Sequence, residues 1–127
     1  MTASADTVAR ELLTSAGLLI DRHSTDTRGL WPKAAVLLVR QALEVAVKTY
    51  WSAKAPGAEE CSCRAQLLCL GPYVGDEALA RRASQAWAEL SAAAHVHPYE
   101  LPPTREELLG WMETVAEVVE TTERGWR

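Results

Sequence analysis

Apolar residues recur along this chain at the three-to-four-residue spacing of α-helices, in five blocks separated by polar or proline-containing breaks. The first block predicts a helix over 5–20, with Ser4 or Thr2 as N-cap and Val8, Leu12, Ala16 and Leu19 as its apolar stripe. Polar turn-formers over 21–29 end it. The second block, 32–53, opens with Pro32 in the first turn, where a missing N–H costs nothing. Val36, Leu38, Val39, Leu43, Val47, Tyr50 and Trp51 cover most of its circumference. A helix so widely apolar must be surrounded, which places it at the centre of a bundle. Lys33, Arg40, Gln41, Glu44 and Lys48 share the remaining strip. That strip is expected to face solvent; the rival reading is that Arg40 and Glu44 border a cleft.

The segment 55–60 breaks the pattern, and a short helix over 63–70 is expected to stop at Gly71 and Pro72. A fourth helix over 76–96 carries Leu79, Ala83, Trp87, Leu90 and Ala94 on its core side, and Pro98 bounds it. Thr104 and Glu107 have the spacing of a capping box and open a last helix over 105–123, with Leu108, Trp111, Met112, Val115 and Val119 facing inward. The pattern predicts an all-α fold: one domain spanning 1–127, a bundle of about five helices.

Composition narrows the function classes. At 127 residues, with 48% hydrophobic and 24% charged, the chain can bury a core and differs from a disordered segment. No apolar run is long enough for a membrane span and the first residues lack signal-peptide order, so the expected location is cytoplasmic. A formal charge of −4 excludes a generic nucleic-acid coat, and there is no DNA-specific motif; any RNA contact must be local. Cys61, Cys63 and Cys69 are expected as reduced, small core residues. Their spacing does not suit zinc, because Cys61 and Cys63 are too close in sequence and Cys69 falls on another helix face. No metal or other cofactor is expected, and no Gly-rich phosphate loop, serine triad or catalytic carboxylate pair is present.

Titratable groups crowd at one structural break, Ser91 to Glu100. His95 and His97 lie at the end of the fourth helix, where the macrodipole favours an imidazolium, so either is a candidate general acid or base near neutral pH. Tyr99 and Glu100 follow directly. The plain alternative is that the histidines only cap the last helical carbonyls.

The apolar second helix carrying Val39 to Glu44, and the histidine cluster leading into Tyr99 to Thr104, resemble the HEPN domains: helical bundles of prokaryotic toxins and defence systems, many of them metal-independent ribonucleases. The resemblance covers roughly residues 31–120. The family signature is an Arg, four to six intervening residues and a His, and one toxin branch extends it to His-x-Tyr. His97, Pro98 and Tyr99 match that ending, but the arginine position falls on Ala92, and no arginine stands at that distance before any histidine. The resemblance implies that His97, with His95 beside it, moves a proton as a ribose 2′-hydroxyl attacks phosphorus. It implies that Ala92 leaves the transition-state charge unneutralised, so the chain is an inactivated variant or a natural pseudoenzyme, with weak or no cleavage. It further implies an RNA substrate, Tyr99 as a site of nucleotidylation by an antitoxin of the nucleotidyltransferase type, and a homodimer with a shared groove. Arg81, Gln85, Ala88, Ala92 and His95, on one side of the fourth helix, are candidates to line that groove, with Trp87, Trp111 and Trp126 as possible anchors. The competing class is a non-catalytic helical interaction module that binds a protein partner.

Overall fold

The computed structural model describes residues 5–22, 30–95 and 101–126. Among these there are six α-helices, one 3-10 turn and no strand, so the fold is an all-α helical bundle. The helices are α1 (Ala5–Asp21), α2 (Trp31–Lys54), α3 (Cys63–Leu68), α4 (Leu70–Val74), α5 (Glu77–Ala94) and α6 (Arg105–Trp126), and the 3-10 turn Ala58–Glu60 precedes α3.

The local signals explain most boundaries. Thr104 Oγ1 accepts from the Glu107 N–H at 3.1 Å while Glu107 Oε1 accepts from the Thr104 N–H at 3.1 Å, the reciprocal capping box. Asp76 stands outside α5 as its N-cap, its carboxylate accepting from the Leu79 N–H at 2.9 Å. Pro32 lies in the first turn of α2, where the backbone nitrogen has no helical acceptor. The expected N-caps Thr2 and Ser4 lie outside the described residues.

The expected single helix over 63–70 is instead two. α3 ends at Leu68, and a new turn, α4, begins at Leu70 and carries Gly71 and Pro72 inside it. Pro72 is tolerated because it occupies the first turn of that second helix. Gly71 is buried, and a Cβ there would overlap the Glu77 carboxylate. The real stop is Gly75, whose φ of +72° is a conformation that side-chain-bearing residues disfavour.

α2 is the central helix. Ala35, Val36, Val39, Ala42, Leu43, Ala46, Val47, Tyr50 and Trp51 are all buried, against α1 on one side, α6 on another and α3 and α5 on a third. Burying a side chain the size of leucine stabilises a fold by about 1.5–3 kcal/mol, so this one helix supplies a large part of the core energy. α1 contributes Ala9, Ala16 and Ile20, with Leu12 and Leu13 partly buried; Val8, expected in its stripe, is 39% exposed because the buried face runs through Ala9, one position on.

Helix directions follow from cross-helix pairs. α5 and α6 run antiparallel, with Arg82 bonded to Glu117 at 2.8 Å and, further along α5, Glu89 accepting from the Trp111 indole nearer the α6 start. α6 and α1 are antiparallel too, Arg10 pairing with Glu123 and Asp21 with Arg105. α2 and α6 are parallel: their C-terminal ends meet where a Cβ on Gly125 would lie 2.9 Å from the Tyr50 ring. α2 and α5 are therefore antiparallel.

Candidate functional site

The region that the sequence singles out is reached from two sides. α5 ends at Ala94, and His95 is its C-cap, exposed, with its backbone N–H bonded to the Ala92 carbonyl at 3.1 Å. The helix thus begins one residue later and ends two residues earlier than the expected 76–96, the last turn closing at His95. His97, Tyr99 and Glu100 lie outside the described residues.

Ala92 is exposed and lines an open cleft of about 640 Å³ between the end of α5, the segment 101–104 and the start of α6. Its walls also include Glu89, Leu101, Glu107 and Trp111. Both carboxylates are engaged: Glu89 accepts from Trp111 Nε1 at 2.7 Å and from Gln85 Nε2 at 2.9 Å, and Glu107 caps α6. Among its described lining residues there is no cation.

A second cleft, of about 410 Å³, runs between α3 and α5 and is lined by Arg64, Leu67, Ser84, Gln85, Trp87 and Ala88, among others. Ser84, Ala88 and His95 fall on one line along α5 at helical spacing, so the cleft and the exposed imidazole share a side of that helix. The expected row Arg81, Gln85, Ala88, Ala92 and His95 is exposed throughout, but it does not line a single groove: Gln85 and Ala88 belong to the cleft beside Arg64, Ala92 to the one beside Trp111.

At the inner edge of the α3/α5 cleft stands a polar cluster. Trp87 is half-buried and its indole N–H donates to Glu44 Oε1 at 3.2 Å, while Arg40 Nε donates to the same oxygen at 2.9 Å. The two side chains keep 28% and 36% of their surface, so the strip on α2 expected to face solvent is half-buried where it meets α5. The reason is tertiary: Trp87 and the start of α3 cover it. Cys63 lies close enough to both charges to feel them. Burial, then the Glu44 carboxylate, pushes its thiol up to about 12, with Arg40 acting the other way. Ser91, one turn beyond Trp87, has a buried hydroxyl oxygen without a hydrogen-bond partner among the described residues. The sequence raised Arg40 and Glu44 as bordering a cleft only as the rival to a solvated strip, and did not connect them with Trp87 or Cys63. An Arg and a Glu four apart are equally at home on a solvated helix face, so the covering by Trp87 had no local signal.

Of the cysteines expected in the core, Cys63 packs against it while Cys61 and Cys69 do not. Cys61 and Cys69 are exposed and Cys63 is half-buried, all as free thiols. Short helices such as α3 and α4 have few inward positions, and Gln66, Leu67 and Leu70 occupy them. Among the described residues no group of three His, Cys, Asp or Glu is arranged to hold a metal ion. Trp87 and Trp111 are half-buried with their indoles bonded to Glu44 and Glu89; the Trp126 side chain lies outside the described residues. No described helix is long and apolar enough to cross a membrane.

Fold and clefts together define an all-α bundle with polar groups gathered near the end of α5. Comparison with protein-family models, with curated proteins and with solved structures finds no match.

Proposed function

We propose that this chain is a HEPN-like, cytoplasmic, metal-independent ribonuclease-type domain in which catalysis is weak or lapsed because Ala92 occupies the arginine position of the signature. The observation that supports this reading is the α3/α5 cleft: Arg64 lines it, Arg40 adjoins it through Glu44 and Trp87, and His95 stands on the same side of α5. In a chain of formal charge −4, that is a local cationic place for a phosphodiester.

The chemistry is an internal transfer. The ribose 2′-oxygen forms a bond to phosphorus as its proton passes to His97, or to His95 if that ring is nearer. The bond from phosphorus to the 5′-oxygen breaks, that oxygen takes up a proton, and a 2′,3′-cyclic phosphate remains. No metal or redox partner enters the balance. A homodimer would double the site, and nucleotidylation of Tyr99 by an antitoxin would set an anion beside His97 and repel RNA.

Ala92→Arg tests the reading through RNA cleavage in vitro and growth arrest on expression. A gain of at least about tenfold, and up to two to three decades, is expected for restoring such an electrostatic donor. No gain in either assay refutes it. One observation favours a second reading, a non-catalytic module that binds a protein partner: the cleft holding Ala92 carries Glu89 and Glu107 and no described cation, which disfavours a polyanion there. Under that reading Ala92→Arg leaves both assays silent.

A further inference from the structure

We propose that the cleft between α3 and α5 binds a small amphipathic carboxylate, with its anion on Arg64 and its apolar body against Leu67, Leu68 and Trp87. The inference goes beyond the ribonuclease reading, because it needs neither an imidazole nor catalysis. Both concern the same cleft, so such a ligand and a phosphodiester exclude each other there.

Arg64 is exposed and is the one charged residue among those described as lining the cleft. Among the described residues it has neither a hydrogen bond nor an ion pair, whereas the charge of Arg40 at the inner edge is answered by Glu44. A chain of formal charge −4 thus keeps an unanswered cation on a concave wall, which attracts an anion. One guanidinium matches one anionic group, and its planar fork fits the two oxygens of a carboxylate with parallel bonds. A ligand with several negative charges brings more than this lining neutralises.

The remaining lining decides the other end of the ligand. Leu67, Leu68, Trp87 and Ala88 supply most of the wall. Leu67 is buried beneath it and Leu68 is 67% exposed, so an apolar body seated there removes hydrocarbon surface from water on both sides of the contact. Trp87 spends its only donor on Glu44, and what it lends the cleft is ring surface. Ser84, half-buried on the facing helix, has no hydrogen-bond partner among the described residues and is a second donor for the anion. Gln85 already donates to Glu89 and brings no charge. A volume of about 410 Å³, apolar walls and a few polar groups are the make-up of a small-molecule site.

Titrations followed by ligand-observed NMR compare a naphthalene carboxylate, the matching neutral carboxamide, acetate and a short uncleavable 2′-O-methyl RNA, on the unsubstituted chain, Arg64→Gln, Arg64→Lys and Ala88→Trp. The aromatic carboxylate is expected to bind at least about tenfold more tightly than the carboxamide or acetate, since only it uses both the charge and the wall. Arg64→Gln should weaken the carboxylate about tenfold and leave the carboxamide unchanged. Arg64→Lys, which keeps the charge without the fork, should fall between and covers the case in which Arg64→Gln does not fold. Ala88→Trp, on an exposed position, should fill the cleft and weaken both aromatic ligands. Equal affinity for carboxylate and carboxamide, or a carboxylate indifferent to Arg64 and to Ala88→Trp, overturns the proposal. RNA binding that depends on Arg64, with no binding of the carboxylate, overturns it and leaves the ribonuclease reading intact. Binding of neither overturns it and also removes the cleft as support for that reading.

Discussion

Gln66 offers the sharpest test of how α3 is fastened to the central helix and to the turn before it. It is 5% exposed, and its Nε2 lies 3.1 Å from the Ala58 carbonyl, 3.2 Å from that of Glu59 and 3.0 Å from that of Cys61. A primary amide has two hydrogens, so three acceptors share two good bonds. Its own backbone carbonyl accepts from the Trp51 indole at 3.0 Å, which ties α3 to the central helix. Gln66→Met keeps the volume and removes both hydrogens. The orphaned carbonyls belong to a turn near the surface and recover some water, so each lost bond is priced at about 1–1.5 kcal/mol and the variant at about 2–3 kcal/mol. Against a total stability of about 5–15 kcal/mol that is a large fraction, and it corresponds to a fall in Tm of roughly 6–15 °C. Urea unfolding followed by circular dichroism measures it. Gln66→Glu adds a sign. A carboxylate aimed at carbonyl oxygens is repelled, so its pKa in the folded state lies above its unfolded value. Its protonated form restores one donor, so stability in this variant is greatest below the unfolded pKa and is lost as pH rises through the folded one. A loss below about 0.5 kcal/mol for Gln66→Met, or a Gln66→Glu variant whose deficit does not shrink on acidification, would refute the bond accounting.

Removing the α6 capping box with Thr104→Ala should cost about 1 kcal/mol, since it leaves the Glu107 N–H without its side-chain acceptor; a change within a few tenths of zero in urea titration would show that water replaces it fully. Alkylation with iodoacetamide at pH 8, read by peptide mass spectrometry, should modify Cys61 and Cys69 well before Cys63, whose thiol is pushed up to about 12. Because that pKa is raised by folding, the stability it contributes is complete below the unfolded thiol value and is lost as pH climbs toward 12, so Cys63→Ser should flatten the alkaline fall in Tm; Cys63 labelling as fast as Cys61 would contradict the burial.

The local physics of this chain was legible in its residues. Helical periodicity marks every long helix, Pro32 marks the start of α2, and Thr104 with Glu107 marks the start of α6, because propensity, capping and amphipathic spacing act within a few residues and need no partner. The break between α3 and α4 was less so. Gly71 and Pro72 read as a stop, whereas Gly71 is where the Glu77 carboxylate packs and Pro72 takes the free first-turn position of a helix that runs on to Gly75. The side-chain environments belong to tertiary structure altogether. Nothing in the sequence around Arg40 and Glu44 distinguishes a solvated strip from one closed over by Trp87, and nothing near Cys61 or Cys69 tells that Leu67 and Leu70 will take the inward places. Burial, shared acceptors and a thiol raised first by burial and then by a neighbouring carboxylate are sums over groups far apart in the chain, so they exist only once the helices have chosen their neighbours.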